Sequence, residues 1–380
     1  METWDVIVVG AGIAGASAAY EIAADRRVLV LERESQPGYH STGRSAAIYT
    51  ESYGNRPIRA LTTASRGFYG QPPKGFTDTA LWSGRGVLMI GTEAQLPQVR
   101  ALYDEVREFA QDVRLVDGDY FEAMVQVARP GVVAGGLLDT GAMELDVGAI
   151  HHGYLQGARQ RGGELVTDAE VTGLSRQGGA WVLDTAAGRF AAPVLINAAG
   201  AWADTLAAMA GAAPAGLTPK RRTVCTFDAP PGIDVSQWHL VVDVDESFYF
   251  KPESGRILGS PADETPLPPC DAQPDEMDIA VAIDRIQSVI DVQVRHIRAK
   301  WAGLRTFAPD KTPVVGFDPS AEGFFWLAGQ GGYGIQTAPA MGRTAAALSA
   351  GRDLPDDIRA LGVAARDLAP GRAYPETEGD

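Results

Sequence analysis

Apolar residues open the chain in an unbroken run, Val6-Ile7-Val8-Val9, which predicts a strand buried on both faces. Gly10-Ala11-Gly12 follows as a tight turn, and Ile13 to Ala24, rich in alanine, reads as a helix slim enough to lie flat on a parallel sheet. A second buried strand, Arg27 to Leu31, ends at the acidic Glu32. Ser35 to Tyr53 carries Gly38, Ser41, Thr42, Gly43 and Ser45 and predicts a long polar connection of the kind that usually serves function. Beyond the Pro/Gly punctuation of Gln71 to Gly86, the spacing of Val99, Leu102, Tyr103, Val106, Phe109 and Val113 predicts an amphipathic helix. Asp146 caps another helix, through Val147, Ile150 and Leu155, that stops at Gly162-Gly163. Glu164 to Leu174 and Trp181 to Phe190 predict strands of a small antiparallel layer, with Gly178-Gly179 as a turn.

A further buried strand, Val194 to Ile196, precedes Asn197-Ala198-Ala199-Gly200-Ala201-Trp202. Strand-like runs then recur at Thr223 to Phe227, His239 to Val244, Ser247 to Lys251 and Arg256 to Leu258. A helix with Ile279, Ile283, Ile286, Val289 and Ile290 on one face is expected to pack on that sheet. The strand Phe324 to Ala328, the loop Gly329 to Gly334 and a helix from about Thr337 repeat the opening logic. The fold class is therefore α/β, with interleaved parts. Segments 1–82, 145–216 and 307–380 form a Rossmann-like nucleotide domain, and 83–144 and 217–306 an α+β substrate domain on an antiparallel sheet.

Composition narrows the chemistry. The 380 residues carry a formal net charge of −15, which argues against nucleic acid or an anionic membrane as the main partner. Cys225 and Cys270 are the two cysteines, with no CxxC and no close histidine, so neither a disulfide framework nor a metal site is expected. No basic leader precedes the opening apolar run, and no stretch nears the roughly 20 apolar residues of a membrane span. A cytoplasmic location is the expectation.

The N-terminal unit has its own chemistry. Gly10 permits the turn, Gly12 lets backbone N–H groups approach a pyrophosphate, and Gly15 brings helix and strand together. The helix N-terminus favours phosphate, and Glu32 can accept hydrogen bonds from ribose hydroxyls. An FAD or NAD site follows from this order of strand, glycines, helix and acid.

The stretches GAGIAGAS, LERE, GYHSTGRSAA, INAAGAWAD, PKRR, DESFYFKP, WAGLR and FFWLAGQGGYGIQT together resemble the FAD-dependent amino-acid oxidoreductases of the D-amino acid oxidase, glycine oxidase and sarcosine oxidase superfamily. Within it the chain most resembles the bacterial D-arginine dehydrogenases. The resemblance runs collinearly over nearly all of residues 1 to 365 and implies a non-covalent FAD. Gly10, Gly12, Ile13, Ala14, Gly15, Glu32 and Arg33 match the ADP half of the site. Ser41, Thr42, Arg44, Ser45 and Ala47 match the loop beneath pyrophosphate and flavin, and Val171 the residue whose backbone pairs with adenine. Ala199, Gly200 and Trp202 match a second loop over the dinucleotide, and Gly331, Gly332, Tyr333, Gly334, Ile335 and Thr337 the wall at the flavin pyrimidine. His40, in the flavin loop, is placed to touch FAD.

On the substrate side the resemblance implies Tyr53, Arg222, Tyr249, Arg305 and Gln336 as catalytic residues, with Ile48, Val87 and Gly332 also lining the pocket. Two arginine forks and two neutral tyrosyl donors suit a carboxylate. Other readings stand beside this one. Arg222 also fits a solvated basic run, Lys220-Arg221-Arg222; Arg305 could pair with Asp310 or Asp318; and Tyr249 could simply pack between Phe248 and Phe250. The implied reaction is hydride transfer from substrate Cα to flavin N5, followed by hydrolysis of the imine to a 2-oxo acid and ammonia. Where D-arginine dehydrogenases carry a histidine and a glutamate for the cationic end of the substrate, this chain has Ile48 and Val87, which favours apolar side chains unless Glu51 restores an acid. Apolar Ile257 stands nearest the position of the oxygen-activating lysine of sarcosine oxidases, which favours a dehydrogenase passing electrons to a quinone or other acceptor. The alternatives are oxidation of a secondary amine, N-methyl amino acid or 2-hydroxy acid, and, in another class, a dinucleotide-binding protein without catalysis.

Overall fold

The computed structural model describes residues 2–374. The apolar runs of the sequence become a six-stranded sheet in the order Glu164–Val166, Val28–Leu31, Val6–Val9, Val194–Asn197, Phe324–Ala328 and Val314–Phe317. It is parallel except for the last strand. Ile7, Val8, Leu29, Leu195, Ile196 and Phe324 have no solvent exposure, as expected of strands covered on both faces. On one face the helix Ile13–Ile22 packs against Val147–Gln160 and Ala338–Leu348. Small residues set the spacing: a Cβ on Gly157 would lie 2.4 Å from the Tyr20 ring, and one on Gly342 2.7 Å from the Ser17 carbonyl. On the other face Trp181 and Leu183, from an antiparallel layer, pack with Ile7, Leu29 and Trp326.

The second sheet has eight strands, in the order Ile297–Phe307, Thr218–Asp228, Arg256–Ser260, Tyr249–Glu253, Leu240–Asp243, Val87–Gly91, Gly135–Asp139 and Val113–Asp117. Its pairs are antiparallel except Leu240–Asp243 with Val87–Gly91. Strand alternation gives this sheet two chemistries. Cys225, Phe227, Phe250 and Ile257 point to a core closed by Ile279, Ile286 and Val289 of the helix Glu276–Val289. Arg222, Val224, Tyr249 and Arg305 point to the opposite face.

Several expectations need correction. The helix predicted from Val99 onward is Leu96–Val106, and Val113 instead opens the edge strand Val113–Asp117, where pairing with Asp139 outweighs the helical spacing. Glu164 to Leu174 divides in two: Glu164–Val166 joins the parallel sheet beside Val28–Leu31, and Val171–Gln177 enters the antiparallel layer. Trp181 to Phe190 likewise folds back into Ala180–Thr185 and Gly188–Ala192. The helix Arg56–Gly70 was not anticipated, although its start is written in the sequence: Asn55 Oδ1 accepts from Ile58 N at 3.2 Å, and Pro57 stands in the first turn.

Near the C-terminal end of the described chain, Arg372 is held by five hydrogen bonds, two to Asp310 (both 2.8 Å) and the others to the carbonyls of Thr312, Pro313 and Ala369. Burial works to raise the Asp310 carboxyl, but the Arg372 fork and the Thr312 N–H outweigh it and hold the group below the usual carboxylate range. Arg372→Ala is expected to lower stability by about 2 kcal/mol. Because the carboxyl is depressed in the folded state, its contribution is complete above the unfolded value near about 3.9 and fades as pH falls through the folded value. Thermal unfolding of both proteins from pH 7 to pH 3 checks this: the gap should narrow at the acid end. Among the described residues no helix is long and apolar enough to cross a membrane.

Candidate active site

The ends of the parallel strands and the polar face of the eight-stranded sheet enclose a cleft. Its lining runs from the Gly10 turn to Arg222 and Arg305, a reach that suits an extended dinucleotide. At one end the chain turns at Gly10, whose φ of +103° and whose Cβ-free approach to Ala198 O, 2.4 Å from where a Cβ would sit, both require glycine. Gly15 packs on this turn so closely that a Cβ there would meet Gly10 O at 1.9 Å. Glu32 caps the turn: its carboxylate accepts from Ala11 N at 2.8 Å and from Glu34 N at 3.0 Å. Thr42 Oγ1 accepts from Ile13 N at 3.0 Å, tying the polar connection to the helix start.

The cofactor residues suggested by resemblance divide between wall and support. Gly10, Gly12, Ile13, Ala14, Glu32, Arg33, Ser41, Thr42, Arg44, Ser45, Val171, Ala199, Gly200, Trp202, Gly331, Gly332, Gly334 and Ile335 line the cleft. Gly15 and Ala47 stand behind it, and Tyr333 is buried among Tyr53, Phe307 and Ile58. Thr337 donates to Tyr333 O at 2.8 Å at the start of the last long helix. His40 lines the cleft, its Nε2 2.9 Å from Glu34 and its ring against Trp202. This lining of backbone turns, a helix N-terminus and a strand-end carboxylate has the chemistry a dinucleotide requires.

At the other end Arg222 and Arg305 rise from neighbouring strands, with Arg222 opposite Gly303 and Arg305 two residues further along on the same face. Arg222 is not a solvated side chain. It is 6% exposed, its Nε donates to Asp263 O at 3.0 Å, and its Cζ lies 6.0 Å from the Tyr249 ring centre. Neither proposed acid takes Arg305, because Asp310 binds Arg372 and Asp318 accepts from Trp326 Nε1 at 2.9 Å. Among the described residues the Arg305 side chain makes no hydrogen bond and no ion pair. Its guanidinium lies against Gly332, where a Cβ would meet Nη1 at 2.8 Å. Tyr53, Tyr249, Tyr333 and the exposed Glu246 act on it electrostatically. Burial pushes the Tyr53 hydroxyl up, which keeps it protonated and able to donate.

Ile48, Tyr53, Val87 and Gln336 do not line the cleft; Tyr53 packs on Tyr333 behind the wall. Val87 is 1% exposed, and Ile48 packs with it in an apolar cluster that also holds Leu240, Val242 and Val244. Gln336 is turned to the protein: Oε1 accepts from Thr50 N at 3.4 Å and Nε2 donates to Thr62 Oγ1 at 2.9 Å. Glu51 is engaged as well, accepting from Tyr49 Oη at 2.6 Å beside Arg66. Sequence reasoning missed Gly303, Val224 and Leu304 on the wall, and Thr62, Ser65 and Tyr69 behind it. The last three lie on one face of Arg56–Gly70 and hold Gln336, Ala340 N and Ile335 O. A polar stripe at i, i+3 and i+7 was the signal available for them.

Fold and cleft together define a dinucleotide-binding protein whose cleft carries Arg222 and Arg305 at its far end. The chain belongs to the FAD dependent oxidoreductase family, whose model matches residues 5–348, and FAD is its cofactor. It is 25% identical over 349 residues to glycine oxidase of Geobacillus kaustophilus, covering 89% of this chain and 91% of that one. It is also 25% identical to hydrogen cyanide synthase subunit HcnC of Pseudomonas aeruginosa, covering 94% of each. The crystal structure of the Geobacillus glycine oxidase superposes with a TM-score of 0.85 at 21% identity, over 99% of this chain and 100% of that one. The L-α-glycerophosphate oxidase of Mycoplasma pneumoniae with FAD bound gives 0.81 at 19% identity, over 92% and 95%. The chain is thus an FAD-dependent oxidoreductase, not a passive dinucleotide binder.

Proposed function

We propose that this enzyme is a dehydrogenase of D-amino acids with apolar side chains, yielding 2-oxo acids and ammonia. The observation that carries the reading is Arg305: an arginine without a hydrogen-bond or ion-pair partner among the described residues, faced by the tyrosines Tyr53, Tyr249 and Tyr333. A carboxylate supplies the missing counter-charge, taking the planar fork of Arg305 and neutral hydroxyl donors from the tyrosines, with Arg222 alongside. Bound FAD supplies the acceptor for the hydride leaving Cα. The protein's part is positioning. The carboxylic acids of the cleft wall, Glu32 and Glu170, and its histidine, His40, all belong to the dinucleotide end, so the substrate amine is taken as neutral when it donates electron density. The D configuration rests on the resemblance of Tyr53, Arg222, Tyr249 and Arg305 to the D-amino acid dehydrogenases.

Side-chain preference follows from the acids around Ile48. Glu51 is engaged by Tyr49 and Arg66, Glu144 by Arg85 and Lys251, and Asp139 by Thr50 and Ser52. None is left for a cationic side chain, whereas Val224 and Leu304 on the cleft wall offer apolar contact. Anaerobic titration of the visible flavin band tests this: D-leucine should bleach it at concentrations at least about tenfold below those of D-arginine, a difference of some 1.4 kcal/mol. Equal response to both would remove the selectivity. A second reading, oxidation of a secondary amine or a 2-hydroxy acid, is favoured by the likeness to glycine oxidase and L-α-glycerophosphate oxidase. Methylamine as product, or bleaching by hydroxy acids alone, would select it. Transfer of electrons to a quinone or similar acceptor, with FAD held non-covalently, completes the proposal.

A further inference from the structure

Asp139 ends the strand Gly135–Asp139, opposite Val87 on one side and Val113 on the other. It is 3% exposed, and no cation pairs with it among the described residues: the nearby Arg66 serves Glu51 and Asp112. Its Oδ2 accepts from Thr50 Oγ1 at 2.7 Å and from Ser52 Oγ at 3.0 Å, while Oδ1 accepts from Gly141 N at 3.0 Å. Thr50 and Ser52 are themselves buried, and Thr50 N reaches Gln336 on the far side. The segment 50–52 is thus tied to the substrate sheet by Asp139 and to the segment behind the cleft by Gln336. Tyr53 follows immediately, its ring 4.9 Å from that of Tyr333.

A buried carboxylate without a cation is expensive, and an apolar side chain at the end of an apolar strand would be cheaper for the fold alone. What the carboxylate adds is direction. Two hydroxyls converging on one oxygen fix both residues flanking Glu51, and so the backbone on which Tyr53 stands. We propose that Asp139 is a positioning residue that acts through Thr50 and Ser52 to hold the Tyr53 hydroxyl at Arg305. The inference rests on the carboxylate reading of the cleft given above.

The test measures anaerobic reduction of the FAD-loaded enzyme by D-leucine, giving a substrate Kd and a reduction rate separately, together with FAD content and thermal midpoint. Ser52→Ala and the double variant Thr50→Val/Ser52→Ala should keep FAD content and raise Kd by about tenfold, the scale of a hydrogen bond to a charged group. Asp139→Asn should act alike; if it fails to fold, the hydroxyl variants carry the test. In a Tyr53→Phe background each of these changes should add less than about twofold, because the group they position has gone. An undiminished loss in that background, or an unchanged Kd in the hydroxyl variants, overturns the inference. If wild type is not reduced by any amino acid, the carboxylate reading falls and this inference with it; if wild type responds and the variants match it, only the inference falls.

Discussion

Arg305→Leu is expected to yield a folded, yellow protein whose kcat/KM for its amino acid drops by at least about a thousandfold, corresponding to some 4 kcal/mol of lost carboxylate binding. The expectation is sharp because, among the described residues, the guanidinium has no hydrogen bond or ion pair to lose. Truncating one member of an internal ion pair orphans the other charge and costs the fold as well as the function. Here the charge that is orphaned is the substrate's. Stability should largely hold, since no hydrogen bond or ion pair of the Arg305 side chain among the described residues is lost, only the longer-range attraction of exposed Glu246. Arg305→Lys should recover only part of the loss, because an ammonium lacks the planar fork. Arg222 provides the contrast: Arg222→Leu also forfeits the bond to Asp263 O and the approach to Glu264, so it should lose stability along with substrate affinity. Steady-state kinetics and thermal unfolding of the three variants check the pattern. A leucine variant with near-normal kcat/KM would remove Arg305 from the site.

Gly10→Ala is expected to abolish FAD binding and to destabilise the protein by about 3 kcal/mol or more. Two independent penalties coincide there. A φ of +103° is strained for any residue with a Cβ, and that Cβ would lie 2.4 Å from the Ala198 carbonyl at the end of the neighbouring strand. Neither obstacle is a flexible side chain. Gly12→Ala should behave otherwise, since Gly12 has an ordinary φ of −70° and its Cβ would meet only Thr42 Oγ1, at 3.3 Å. That variant should fold and take up FAD more weakly. The ratio of visible to ultraviolet absorbance, with thermal midpoints, separates the two; a fully yellow Gly10→Ala protein would mean that the strand ends can part.

The opening strand, turn and helix, the Glu32 carboxylate and the final strand at Phe324–Ala328 were legible because their determinants are local. A continuous apolar run means burial on both faces, and glycines at fixed offsets mean a turn that no other residue makes. The site was legible only as a set of residue types. Arginines and tyrosines suited to a carboxylate stand far apart in the chain, and collinear resemblance, not spacing, brought them together. The helix Arg56–Gly70 escaped notice although Asn55 and Pro57 announce it, because its buried face mixes Ile58 and Leu61 with Thr62, Ser65 and Tyr69. Such a face reads as polar until one sees that its hydroxyls are bonded to the segment 335–340.

By itself, then, the sequence determined the dinucleotide end of this protein: backbone conformation and strand burial there are set by residues within a few positions of one another. Only the tertiary structure decided which arginine is free, that Gln336 faces Thr50 and Thr62 and not the cleft, and that Glu51, Glu144 and Asp139 are already engaged. Whether a charged side chain has a partner is a property of strand register and of segments far apart in the chain. Arg305 is available because Asp310 is held by Arg372, 62 positions further on, and no local pattern contains that fact.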